Sequence, residues 1–127
     1  MQPEISSGDL WTTAQQKCWS HVEVATTMTK ILDALKPVRV ASVIPILSDS
    51  RPTLMLTPDN PEDIVAVKAT VRLISKLLQD SDLLQPLAEW QKMPLGDEWM
   101  LRCATPAGIN IDVMTRLAAT KESPIEV

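Results

Sequence analysis

The first third of the chain repeats apolar residues at alternating intervals of three and four, the spacing of one helix face. The pattern runs from Leu10 to Lys36 and stops at Pro37. Its members are Trp11, Ala14, Cys18, His21, Ala25, Met28, Leu32 and Leu35. At about 1.5 Å per residue, this predicts one continuous helix about 40 Å long, more than a domain of this size needs for its own core. Part of the helix is therefore expected to pack on another subunit.

Two apolar segments, 38–47 and 53–57, flank a turn-forming sequence and predict a β-hairpin. Pairing Leu47 with Thr53 places Ile44 and Ile46 on the core face. The reverse face then carries an apolar patch of Val43, Pro45, Leu47 and Met55. In water such a patch is an interaction site or an aggregation hazard, unless the first helix or the N-terminal segment covers it.

The segment from Asn60 to Gln79 predicts a second helix, with Asn60 as N-cap and Pro61 as its first residue. Its apolar stripe consists of Ile64, Val67, Val71, Ile74 and Leu78. A cation row, defined as Lys68, Arg72 and Lys76, lies on another face. This row is either a docking stripe for an acidic partner or phosphate, or a solvated face on which Asp80 pairs with Lys76.

Residues 98–105 and 109–116 predict a second hairpin around the loop Pro106-Ala107-Gly108, with glycine at the left-handed position. This loop sets a register with apolar pairs on one face and opposite charges on the solvent face. The predicted pairs are Cys103 with Ile111, Leu101 with Val113, Arg102 with Asp112, and Glu98 with Arg116.

A chain of 127 residues fits a single domain. With a short helix near Pro86 that carries Leu87 and Trp90, the predicted order is α-ββ-α-(short α)-ββ. This defines an α+β domain over residues 1–127, with an antiparallel sheet, helices on one face, and flexible ends at 1–8 and 120–127. The order of elements is similar to that of dimeric regulatory modules of the roadblock and profilin type and, more loosely, to small acidic chaperones of bacterial secretion systems.

Charge and composition then exclude several classes of function. The chain has 12 Lys and Arg against 16 Asp and Glu, a net charge of −4, opposite to the balance of proteins that bind nucleic acid or anionic membranes. Its three glycines are too widely spaced for a phosphate-binding loop. No apolar run is long enough for a membrane span, and the start Met1–Glu4 lacks the basic residues of a signal peptide. We expect a cytoplasmic protein with no nucleic-acid or membrane partner.

The chain offers few groups for catalysis or metal binding. Cys18 and His21 are three residues apart on the predicted helix, and Cys103 would be a third zinc ligand or part of a Cys-His nucleophilic pair. The alternative is a pair of buried thiols and a hydrogen-bonded histidine. Asp80-Ser81-Asp82 matches a carboxylate pattern for a divalent cation, but also a helix end. We expect the structural alternatives, with no metal, cofactor or catalytic residue.

These patterns favour a non-enzymatic protein-interaction module, acting as a homodimer or as an adaptor, chaperone or inhibitor of another protein. The residues expected to carry the interaction are Val43, Leu47, Met55, Trp11, Lys68, Arg72 and Lys76. A second hypothesis is a small-ligand-binding or enzymatic domain that uses Cys18, His21 and Cys103. A third is an acidic inhibitor that mimics nucleic acid.

Overall fold

The structure is a computed structural model that describes residues 7–18, 22–47, 52–86 and 88–119. These residues form three helices, α1 (Ser7–Cys18), α2 (Val22–Ala34) and α3 (Ile64–Asp80). They also form five strands, β1 (Val40–Ile46), β2 (Thr53–Pro58), β3 (Gln91–Leu95), β4 (Glu98–Ala104) and β5 (Asn110–Ala118). The predicted α+β class is confirmed.

The predicted long helix is two helices, α1 and α2, that lie side by side. The Gln15 side-chain Nε2 donates a hydrogen bond to the Thr29 backbone oxygen at 3.1 Å. In a continuous helix those two residues would be about 21 Å apart. Both helices bury their apolar faces in one core. Apolar residues therefore recur at intervals of three and four in both helices, and this spacing does not distinguish two helices from one. The expected 40 Å helix is therefore wrong, and with it the surplus apolar surface it implied.

The strands form one mixed sheet in the order β1-β2-β5-β4-β3. The pair β2 and β5 is parallel, and the other three pairs are antiparallel. The expected all-antiparallel sheet is therefore wrong. Helix α3 and the strands β3 and β4 lie between β2 and β5 in sequence, and this long connection brings β5 back beside β2 in the same direction.

The short helix expected near Pro86 does not occur in the described residues, although Leu87 lies outside them. The chain instead continues into the edge strand β3. Just before this strand, Trp90 donates a hydrogen bond from Nε1 to the Ser75 hydroxyl on α3 at 2.8 Å. The element order behind the resemblance stated above is therefore not the observed one. Residues 1–6 and 120–127, which include most of the two ends expected to be flexible, lie outside the described residues.

The first hairpin forms with a register one residue away from the predicted one. Ile46, not Leu47, pairs with Thr53, so Ile44 pairs with Met55 and Val43 with Leu56. Because side chains alternate between faces, this single step exchanges the two faces of β1. Val43 is buried in the core, whereas Ile44 and Ile46 point to the other side. Pro45 lies in an edge strand, as its missing N–H requires.

The second hairpin has the predicted register through most of its length. Cys103 pairs with Ile111, Leu101 with Val113, and Arg102 with Asp112. Gly108 has a φ of +84°, the left-handed conformation expected of this turn. At the open end, an irregularity between Glu98 and Met100 shifts the pairing, so Glu98 lies opposite Ala118. The predicted pair of Glu98 with Arg116 is wrong.

Helix α3 begins three residues later than the N-cap prediction. Asp63 caps it, accepting hydrogen bonds from the Val65 and Ala66 backbone N–H groups, and the predicted apolar stripe is buried at Val67, Val71, Ile74 and Leu78. At the other end, Asp82 has a φ of 56°. The Leu83 N–H donates to the Leu78 oxygen and the Asp82 N–H to the Gln79 oxygen, a Schellman motif that ends the helix.

All three helices bury side chains in one core against one face of the sheet. Trp11 is fully buried there and donates a hydrogen bond from Nε1 to the Val38 oxygen at 3.0 Å. The largest fully buried side chains are Trp11, Met28, Ile31, Leu32, Leu35, Leu54, Leu56, Ile74, Leu78, Leu101 and Ile111. Among the described residues, no helix has the length and apolar character needed to cross a membrane.

Candidate interaction surface

The sheet has a second face, opposite the helices, which we call the open face. Its central row runs across all five strands in register as Ile44, Met55, Asp112, Arg102 and Gln91. Side chains two positions away along each strand point the same way. They add Ile46, Thr53, Asn110, Met114, Arg116, Glu98, Met100, Ala104, Met93 and Leu95 to the open face.

Apolar side chains lie in water at both edges of the open face. Ile44 and Ile46 on β1 are 51% and 41% exposed, and Leu95 on β3 is 50% exposed. None of them joins the core cluster under the helices. Isolated exposed apolar residues are ordinary, but a group on one sheet face is typical of a surface that another molecule covers.

Methionine is concentrated on the same face. The chain has six methionines, and four are on the open face: Met55, Met93 and Met114 are partly exposed, whereas Met100 is buried at 6% exposure. Met28, by contrast, is fully buried in the core. Methionine has three rotatable bonds and a polarisable sulfur, so a surface rich in it adapts to the shape of a partner. The open face therefore combines exposed branched side chains with adaptable ones.

The only ion pair found on the open face within the described residues is at its centre. Arg102 donates from Nε to Asp112 Oδ1 at 2.7 Å and from Nη2 to Oδ2 at 2.9 Å. The Asp112 side chain is 2% exposed and that of Arg102 is 31% exposed. The hydrogen bond with Asp112 raises the pKa of Arg102 above its ordinary value. The pair is thus neutralised, and its acidic member is buried, unlike the solvent-exposed pair that the sequence predicted.

Four of the side chains predicted to carry an interaction do not lie together on one surface. Trp11 and Val43 are buried in the chain's own core, and Leu47 packs against that core. Met55 is half-buried and lies on the open face. Of these four side chains, only Met55 lies on the open face. The exposed apolar residue of β1 beside it is Ile44, not the predicted Val43.

The cation row lies apart from this surface, on α3. Arg72 and Lys76 are exposed and Lys68 is half-buried. In the described part of the chain no carboxylate forms a salt bridge with any of them, and the expected pair of Lys76 with Asp80 is not formed. The row is a solvated face in this structure, and its docking role stays a prediction.

The structure describes only part of the cysteine-histidine set. Cys103 is buried on the helix-facing side, and burial raises the pKa of its thiol to about 11, so it stays protonated at neutral pH. His21 and the Cys18 side chain lie outside the described residues. Asp80 and Asp82 flank the C-cap of α3 and serve the helix end. No group of three or more potential metal ligands occurs among the described side chains.

Comparisons with protein families, curated proteins and solved structures found no match for this chain.

Sequence reasoning missed Ile44, Ile46 and the β3 residues Met93 and Leu95 as surface residues. The long connection between Ile46 and Thr53 does not fix the pairing frame of the hairpin, so the sequence pattern alone does not decide which face of β1 lies in the core. In β3 the alternation of Gln91, Met93 and Leu95 is present, but Pro94 argues against a strand. That proline is tolerated because β3 is an edge strand.

Proposed function

We propose that this protein is a non-enzymatic protein-interaction module and that its open face binds a second copy of the same chain. The observation that carries the proposal is the group of exposed apolar side chains at both edges of a sheet face. Three helices already cover the other face, so the domain core is complete without it. A face-to-face dimer would remove Ile44, Ile46 and Leu95 from water.

Charge supports a second copy as the occupant. The chain carries a net charge of −4, so two copies repel each other over most of their surfaces. The open face is an exception, because its central Arg102–Asp112 pair is neutral and its other two charges, Glu98 opposite Leu95 and Arg116 near the end of β5, have opposite signs. Apolar patches on both sides of a neutral centre also suit a two-fold interface, in which each patch meets its counterpart.

The free energy gained by burying these apolar side chains is of the same order as the lower part of the cost of association. Burying one Leu-sized side chain stabilises a complex by about 1.5–3 kcal/mol. Several half-exposed apolar side chains from each copy would contribute a fraction of that value each, against an association cost of about 4–15 kcal/mol. The open face therefore supports a moderate, concentration-dependent dimer rather than a permanent one. We place this activity in the cytoplasm, as the sequence predicts.

The test is sedimentation velocity of the whole protein over a range of micromolar concentrations. Wild type is expected to sediment increasingly as a dimer as its concentration rises. Ile44→Glu is expected to remain a monomer, because an unpaired carboxylate would have to be buried in the interface at a cost of several kcal/mol.

The matched control is Val65→Glu. Val65 is more exposed than Ile44, at 73%, but lies on α3 in the helix layer, so this substitution should leave the dimer intact. Dissociation by both substitutions would contradict the assignment to the open face. A wild-type monomer at every concentration would contradict self-association.

A further inference from the structure

Helix α3 carries two parallel rows of side chains on the side opposite its buried stripe. One of them is the cation row. The other, which we call the apolar row, consists of Val65, Ala69 and Leu73, and all three residues are exposed. Val65 is 73% exposed and Leu73 is 38% exposed. Members of each row are four residues apart, so the two rows lie side by side along the helix surface.

The charge of this helix is opposite to that of the whole chain. Residues 64–79 contain three cations and no Asp or Glu, whereas the chain has a net charge of −4. Elsewhere in the described part of the chain, Lys36, Arg39 and Arg102 each form a salt bridge with a carboxylate. Within the same described part, no member of the cation row does so, and like charges four residues apart on a helix repel each other. Carboxylates supplied by a partner would relieve this repulsion.

The shape of the two rows suits a second helix. Side chains at four-residue intervals form ridges, and such ridges fit into the grooves of another helix in the commonest class of helix packing. Ala69 is in the middle of the apolar row, and its small side chain lets a second helix come close between Val65 and Leu73. Beside it, the cation row extends about 12 Å along the helix from Lys68 to Lys76. Acidic residues at four-residue intervals on a second helix have the same spacing.

We propose that α3 binds an acidic amphipathic helix of a partner protein. Apolar side chains of that helix contact the apolar row, and its carboxylates pair with the cation row. A second copy of the chain is a poorer occupant, because a two-fold contact through α3 would place two cation rows against each other. The rest of the chain has an excess of acidic residues, so an acidic helix is attracted to this face and repelled by most others.

This surface and the open face are on opposite sides of the domain. The helices cover one face of the sheet, and the two rows of α3 point away from it. The partner helix and the second copy can therefore bind at the same time, and each interaction can be tested without the other.

The test is fluorescence anisotropy of a labelled acidic peptide titrated with the full chain. The peptide is a synthetic helix about 18 residues long, in which glutamates repeat every four residues beside leucines with the same repeat, in an alanine background. It is expected to bind at micromolar concentration and to bind more weakly as salt is raised, because exposed charges are screened.

A peptide of the same composition in scrambled order is expected to bind about tenfold more weakly, because it does not present both rows on one helix face. Equal binding of the two peptides, or no binding of the patterned one at millimolar concentration, would overturn the proposal. Equally tight binding of a single-stranded oligonucleotide would show a general anion-binding surface and would also overturn it.

Two variants locate the site. Arg72→Glu replaces an attraction by a repulsion in the middle of the cation row and should weaken binding of the acidic peptide about 5- to 25-fold. Leu73→Ser, in the apolar row, should weaken it about two- to tenfold. Both positions are exposed, so both variants should fold. Unchanged affinity in both variants would place the peptide elsewhere and overturn the proposal.

The matched control is Lys30→Glu, which makes the same kind of charge change at an exposed position on α2. It should bind the peptide as wild type does, and an equal loss in Lys30→Glu and Arg72→Glu would overturn the proposal by showing that only net charge matters. Ile44→Glu should bind the peptide normally, whereas Arg72→Glu should still dimerise in sedimentation velocity. The failure of one proposal is therefore distinguishable from the failure of the other.

Discussion

Removing Arg102 should destabilise the protein far more than neutralising its partner Asp112. The two side chains form a bidentate pair, with the Asp112 carboxylate 2% exposed and the Arg102 guanidinium 31% exposed. Arg102→Leu leaves a buried carboxylate with no partner, and breaking a buried pair in this way costs about 3–5 kcal/mol. Small domains are stable by only about 5–15 kcal/mol, so this one change removes a large share.

Asp112→Asn should cost less, about 1–2 kcal/mol, because the asparagine oxygen still accepts a hydrogen bond and the partly exposed Arg102 side chain reaches water. The double variant Arg102→Leu and Asp112→Leu removes both charges and should be within about 1 kcal/mol of wild type. With Asp112→Leu as the second single variant, Arg102→Leu, the double variant and wild type form a double-mutant cycle, measured by urea unfolding.

A matched control is the exposed pair of Arg39 and Asp59, whose side chains are 87% and 42% exposed and 3.6 Å apart. Arg39→Leu should change the free energy of unfolding by less than about 0.5 kcal/mol. The reasoning is refuted if Arg102→Leu costs no more than Arg39→Leu, or if the double variant costs the sum of the two single ones.

Three further predictions concern single positions. Gly108→Val should lower the free energy of unfolding by about 1–2 kcal/mol, because φ is +84° and backbone strain alone sets the cost when no atom within 4 Å contacts the added Cβ. Gly108→Asn should cost less, because asparagine adopts a positive φ more readily than valine. Equal losses in the two variants would contradict this reasoning. Asp82→Gly should raise the free energy of unfolding by up to about 1 kcal/mol by relieving a φ of 56°, whereas a lower value would show that the Asp82 side chain stabilises the turn. Burial raises the pKa of the Cys103 thiol from 9.0 to about 11, so as pH rises the unfolded chain loses this proton before the folded protein does. Between pH 9 and about 11, the free energy of unfolding should therefore fall by up to about 1.4 kcal/mol per pH unit. A Cys103→Ala variant should lack that fall.

The second hairpin shows what a local signal can predict. The loop Pro106–Gly108 specifies its own geometry, and the register from Cys103–Ile111 to Leu101–Val113 follows from it. The first hairpin has a long connection between Ile46 and Thr53 with no such constraint, so a one-residue error exchanged its faces. The candidate surface depended on that register, which is why Met55 was placed on the exposed side while Ile44 was assigned to the core.

Long-range features were beyond the sequence pattern. The apolar spacing from Trp11 to Leu35 is the same for one helix or for two that share a core, and only a contact such as Gln15 to Thr29 separates the two cases. Likewise, the pairing of Arg102 with Asp112 was predictable from the hairpin, but the burial of Asp112 depends on its neighbours in the assembled sheet. The parallel contact of β2 with β5 has no local signature at all.

The central claim is that the open face is the surface through which this chain self-associates, and methyl NMR of 13C-labelled methionine tests it most directly. Met55, Met93 and Met114 are partly exposed on that face, whereas Met28 is on α2 and is fully buried in the core. On dilution through the micromolar range, we predict that the methyl signals of the three open-face methionines shift together along one binding curve while that of Met28 stays fixed. Signals that do not change on dilution, or a shift confined to methyl groups away from the open face, would contradict the claim.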